Sequence, residues 1–91
     1  MYTIKAGEMP DWLGEWNQRI RPLRERLGFS VVGAWTVAEM NRFIWIIRYE
    51  GPLTWKEAEA AYYGSPERIR LDPDPARHIE TSEQWLMTSI Q

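Results

Sequence analysis

His78 is the only histidine in a chain of 91 residues that contains no cysteine. An ordinary imidazole pKa near 6.5 suits a general base, which makes His78 the one candidate for that role. It follows Arg77 in a segment that reads as a turn, where a lone histidine more commonly serves structure. Without cysteine there is no thiolate ligand, disulfide or thiol nucleophile. The acids supply no metal cluster either: Asp72 and Asp74 alternate with Pro73 and Pro75 in what must be an extended turn. No metal and no cofactor is expected.

The remaining candidates point to binding. Arg48 follows the apolar run Phe43-Ile44-Trp45-Ile46-Ile47. An arginine in such a strand is costly to bury without an anionic partner. Glu50 projects the same way and would form an ion pair with it; otherwise Arg48 would orient a ligand carboxylate. Six tryptophans are the oddity of the composition. Trp35 and Trp45 fall on neighbouring strands, and their indole N–H groups need acceptors, so they are expected to line a pocket together with Tyr62. Trp12 and Trp16, one turn apart, read as core.

The elements that must position these residues follow from periodicity. Tyr2 to Lys5 alternates as a short strand, and Gly7 breaks it. Apolar residues at Trp12, Leu13, Trp16, Ile20, Leu23 and Leu27 then make one stripe of a helix opening near Pro10 and stopping at Gly28. Arg19, Arg21, Arg24 and Arg26 read as its solvated face. Pro22 removes a backbone donor and crowds the carbonyl of Gln18, which predicts a kink or a break. Phe29 to Val37 and Arg42 to Glu50 read as a hairpin, with Gly33 marking a bulge or a close backbone approach. Thr54 and Glu57 have capping-box spacing and open a helix through Tyr63 with Trp55 on its apolar stripe. Ser65-Pro66-Glu67 opens a short helical turn. Thr81 to Ile90, around Trp85, is expected to close the sheet as a last strand.

The order β-α-β-β-α-β is the ferredoxin-like α+β arrangement, a four-stranded antiparallel sheet with two helices on one face. The whole chain, residues 1–91, reads as a single domain. Two helices cover one face of such a sheet, yet the second hairpin strand is apolar on both. Phe43, Trp45, Ile47 and Tyr49 point one way, and Ile44 and Ile46 the other. On its partner, Val31, Trp35 and Val37 are expected to oppose Val32 and Ala34. An exposed apolar face of that kind marks an interface, and a second copy in a two-fold homodimer would cover it.

At this point the wording of the chain resembles the NIPSNAP-type branch of the dimeric α/β-barrel superfamily. The phrases that carry the resemblance are Pro22-Leu23 running to Gly28, Gly33-Ala34-Trp35-Thr36, Asn41 through Tyr49, and Ala60-Ala61-Tyr62-Tyr63 leading to Ser65-Pro66-Glu67. The resemblance implies a homodimer whose two sheets form a barrel with the helices outside, and it tolerates a proline at Pro22. Members have a longer first strand, so this chain would start partway through it. Arg68 replaces an aromatic residue common after the Ser-Pro-Glu phrase. The haem-degrading relatives place an amide on strand one and a histidine just after helix two. Here strand one offers no Asn or Gln, and His78 lies too far along.

Charge narrows the rest. Eleven Lys and Arg against thirteen Asp and Glu leave a net charge of −2, a poor balance for a polyanion binder. RNA-recognition motifs share the topology, but Phe43 stands where that motif needs glycine and Arg48 where it needs a third aromatic. No nucleic-acid partner is expected. The longest apolar run is far below the ~20 residues of a membrane helix, and residues 1–5 do not look like a secretory leader, so no membrane partner is expected and the cytoplasm is the default. Two functions stay open. One is binding, with or without cofactor-independent oxygenase-like or isomerase-like turnover, of a small apolar or aromatic molecule between sheet and helices. Trp35, Trp45, Arg48 and Tyr62 would form its pocket and His78 its base. The other is a non-catalytic oligomerisation or interaction module.

Overall fold

The computed structural model describes residues 1–90. Its elements are β1 (Tyr2–Ile4), α1 (Met9–Glu15), a π-helical stretch (Trp16–Ile20), α2 (Arg21–Arg26), β2 (Phe29–Val37), β3 (Arg42–Tyr49), α3 (Trp55–Tyr63), α4 (Pro66–Ile69) and β4 (Ile79–Ser82). The sheet is antiparallel in the order β2-β3-β1-β4, the ferredoxin-like arrangement. The helices lie on one face.

From Met9 to Arg26 the backbone runs on as one helix, and Pro22 neither breaks it nor ends it. The conflict is resolved one turn earlier. Proline supplies no N–H to the carbonyl of Gln18, so the helix widens: the Arg21 N–H reaches back five residues to the Trp16 carbonyl. The stripe still faces inward, with Trp12, Trp16, Ile20 and Leu23 buried. Gly28 terminates the helix at φ +95, a conformation that a side chain would strain.

Two apolar clusters hold the helices to the sheet. Trp12, Trp16 and Ile20 close over Ile4 and Phe43, with Trp12 and Trp16 each edge-on to the Phe43 ring. Leu23, Phe29, Ala58 and Tyr62 form the second cluster, and Trp55 packs edge-on against Phe29. The capping box at Thr54 is complete, with hydrogen bonds of 3.1 Å in both directions between Thr54 and Glu57. Ser65 caps α4 by accepting from the Arg68 N–H, while its own hydroxyl donates to the Tyr62 carbonyl at 2.7 Å. These two bonds fix where Tyr62 and Arg68 stand relative to each other. At the other end of the sheet, Asn41, at φ 52, closes the β2–β3 turn and donates its side-chain amide to the Ile4 carbonyl.

Two expectations need correction, one about side-chain direction and one about the last strand. The β2–β3 register slips between Val31, opposite Ile47, and Gly33, opposite Ile46. This bulge inserts one residue, so strict alternation fails across it. Val31 and Ala34 therefore both pack toward the helices, whereas Trp35, opposite Ile44, stands on the open face and is 52% exposed. Its ring lies so close over Gly33 that a Cβ there would sit 2.5 Å from it. The last strand is also shorter than expected. Beyond Ser82, Glu83 exchanges two hydrogen bonds with Met1, and no ladder continues. Trp85, Leu86, Met87 and Ile90 are exposed rather than part of a closing strand.

Candidate functional site

The sequence-predicted pocket residues do not share one space. Trp45 and Tyr62 do: both line a cavity of about 60 Å³ between the sheet and the helices. Trp35 is on the opposite face, because the bulge reversed its direction. Arg48, more than half exposed, pairs at 3.6 Å with Glu50 on the surface. That is the structural ion pair, and Arg48 is not near the cavity lining.

The arginine that does reach the interior is Arg24. It is only 3% exposed, so it is no part of a solvated helix face. Its position continues the i, i+4 series Trp12, Trp16, Ile20, and that spacing was the sequence signal for it. The guanidinium lies over the Tyr62 ring at 3.6 Å and over the Phe29 ring at 4.7 Å. Its two terminal nitrogens reach the carboxylate of Glu59 at 2.9 and 3.4 Å. The Nε–H remains buried with no partner. Arg68 follows the same pattern nearer the rim: Nη2 pairs with Asp74 at 3.0 Å, and its buried Nε–H is also unpaired.

Tyr2 completes the wall. Its hydroxyl accepts from the Trp45 indole N–H at 3.3 Å. Burial, aided by the neighbouring Tyr63, pushes its pKa up to about 12, against the opposing effects of the Trp45 bond and Arg24. Burial likewise raises Tyr62, while Arg24 and Arg68 pull it back. Both phenols therefore keep their protons near neutrality. The cavity is far smaller than the ~150 Å³ that encloses a benzene ring, and close to the space of one small polar group. Outside it lies an open groove of about 550 Å³, lined in part by Ile69 and Leu71, and the two spaces share Tyr63 and Arg68 as a common wall.

His78 is elsewhere. It is buried, with Nδ1 2.7 Å from Glu8 and Nε2 2.8 Å from Glu15. Glu15 also takes a two-bond contact from Arg77 at 2.8 and 2.9 Å. Burial alone would lower the imidazole pKa, but the bonds to Glu15 and Glu8 and the charge of Glu15 outweigh it, so the net shift is upward. A carboxylate at each ring nitrogen favours the imidazolium form, and with both nitrogens engaged neither is left to take a proton from a substrate. Its role is to tie the turn before β4 to α1. Among the described residues, no group of three or more His, Asp or Glu is placed to hold a metal ion, and no helix is long and apolar enough to cross a membrane.

An α+β sandwich of this topology defines the ferredoxin-like class. Within that class a family model described as NIPSNAP matches residues 1–90, and the chain belongs to the NIPSNAP family. Comparison with curated proteins and with solved structures returns no match.

Proposed function

We propose that the protein is a homodimer that binds a small apolar or aromatic molecule at the recess between its sheet and its helices. The observation that carries this reading is Arg24, held 3% exposed at the wall of a cavity between Trp45 and Tyr62. An apolar side chain would fill that place without the cost of desolvating a charge, which amounts to several kcal/mol per ion. The cavity itself admits only one end of such a molecule, and the ring or chain would lie in the outer groove against Tyr63, Ile69 and Leu71. His78 is given no catalytic part, because both its nitrogens are engaged.

The dimer is supported by the open face. Val32 and Trp35 are each more than half exposed there beside Ile44 and Ile46, and the helices all lie on the other side. Packing two such faces about a two-fold axis would bury all four.

Binding is tested by titrating tryptophan fluorescence with a panel of aromatic acids, amides and quinone-like compounds. Saturable quenching is expected for part of the panel. Silence across it would leave the interaction-module reading, in which the aromatics serve core and interface alone. Sedimentation tests the dimer: the wild type should run as two copies at micromolar concentration, and Trp35→Glu as one. A wild-type monomer would remove the dimer.

A further inference from the structure

The unpaired buried side-chain atoms of the residues that line the cavity are all donors. Arg24 and Arg68 both line it, and each keeps a buried Nε–H without a partner. Tyr2, also on the wall, accepts from Trp45 and retains its own phenolic proton to donate. With the indole N–H of Trp12, which also lines the cavity and has no partner, these are four donors. No buried side-chain acceptor is left unpaired among the described residues, since the unpaired atoms are all N–H groups: those of Arg24 and Arg68, and the indoles of Trp12 and Trp16. An unmet buried donor costs about 1–3 kcal/mol, so the wall is complementary to a group that only accepts.

Water both donates and accepts, and a neutral amide presents donors of its own. A carboxylate accepts on both oxygens and carries the sign that two guanidiniums favour. The volume agrees: about 60 Å³ has room for a carboxylate and not for the ring behind it. Glu59 already occupies both terminal nitrogens of Arg24, and Asp74 occupies Nη2 of Arg68. What they leave free is the Nε edge of each guanidinium.

We infer that the inner cavity is a carboxylate site formed by Arg24, Arg68 and Tyr2, and that the molecule bound is an organic acid whose apolar part lies outside in the groove past Tyr63 and Arg68. This rests on the small-molecule reading and adds the chemical class of the ligand. Arg68 is the gatepost, since it belongs to both spaces and its side chain is 11% exposed.

The experiment compares 3-phenylpropionate with 3-phenylpropionamide by fluorescence titration of the wild type, Arg68→Gln and Glu59→Gln. The acid should bind at least about tenfold more tightly than the amide, in line with the greater strength of charge-assisted hydrogen bonds. Arg68→Gln, a change near the rim, should keep the fold by circular dichroism and lose most of that preference. Glu59→Gln, which withdraws the resident carboxylate from Arg24, should strengthen acid binding and leave amide binding unchanged. Equal binding of acid and amide would overturn the carboxylate site while sparing the small-molecule reading. An unchanged preference in Arg68→Gln would also overturn the site as assigned. No binding of either probe, together with a silent wider panel, would overturn both.

Discussion

Two buried basic side chains lie on the helix side of this protein and are held in different ways. Both ring nitrogens of His78 lie against carboxylates, and one of those, Glu15, is held in turn by Arg77. That cluster closes on itself. Arg24 has a carboxylate at one edge, aromatic rings over its face and a buried Nε–H with no partner, and it lines a cavity. The sequence marked His78 as the residue with chemistry to offer and Arg24 as solvated surface. The structure buries both and leaves only Arg24 with an unpaired N–H. A titratable residue is available for chemistry only where its hydrogen-bonding capacity is not already spent, and counting partners distinguishes the two cases.

The largest effect should come from Arg24. Arg24→Ala removes a charge from beside Glu59, whose side chain is 19% exposed, and should lower unfolding free energy in urea by about 3–5 kcal/mol. Replacing Arg24 and Glu59 together by Met and Leu should recover most of that loss while abolishing acid binding. If the pair variant stays as unstable as the single, Arg24 is structural in the same sense as His78 and the contrast fails.

His78→Ala should cost less, about 2–3 kcal/mol, because Arg77 still neutralises Glu15 when the imidazolium is gone. Acid binding should survive in this variant. Its loss would show that the two clusters act together.

The wild-type pH profile sharpens the same point. A raised histidine pKa means stability that is complete below the unfolded value of 6.5 and lost as pH rises through the folded one. A lowered glutamate pKa, held down first by its bonds to Arg77, means stability present above 4.5 and lost as pH falls through the folded value. These two groups therefore favour the window between about 4.5 and 6.5, measurable as thermal midpoint against pH. His78→Ala should flatten the alkaline limb. An alkaline limb unchanged in that variant would contradict the imidazolium.

The smallest effect is a shift in titration alone. The charge of Arg77 opposes protonation of His78, so Arg77→Ala should raise the imidazole pKa further, read by proton NMR of the ring. A fall would mean that Arg77 acts mainly by positioning Glu15.

Much of the fold was legible residue by residue. The 3.6-residue stripe from Trp12 to Leu27, the capping box at Thr54 and the Ser65 cap are local signals, and each forms where its spacing predicts. Pro22 is legible as a conflict, but the break it allows for does not occur, because a helix pressed against a sheet can absorb the lost donor by widening one turn. Trp85 was misplaced because apolar residues do not make a strand without a neighbouring strand to pair with, and the ladder with β1 stops at Met1 and Glu83. Of the expected pocket, Trp45 and Tyr62 meet at one cavity while Trp35 and Arg48 do not, since one inserted residue at the bulge moves Trp35 to the opposite face.

The sequence alone determined the element order, the helix ends and the presence of an apolar sheet face with no helix to cover it, because these depend on spacing within a few residues. Only the tertiary structure decided which polar groups are already satisfied. That question depends on partners far apart in the chain: Arg24 and Glu59 are 35 positions apart, His78 and Glu8 70, and Trp45 and Tyr2 43. Burial turns each such pairing into a choice between a settled ion pair and an open donor, and no local pattern carries that information.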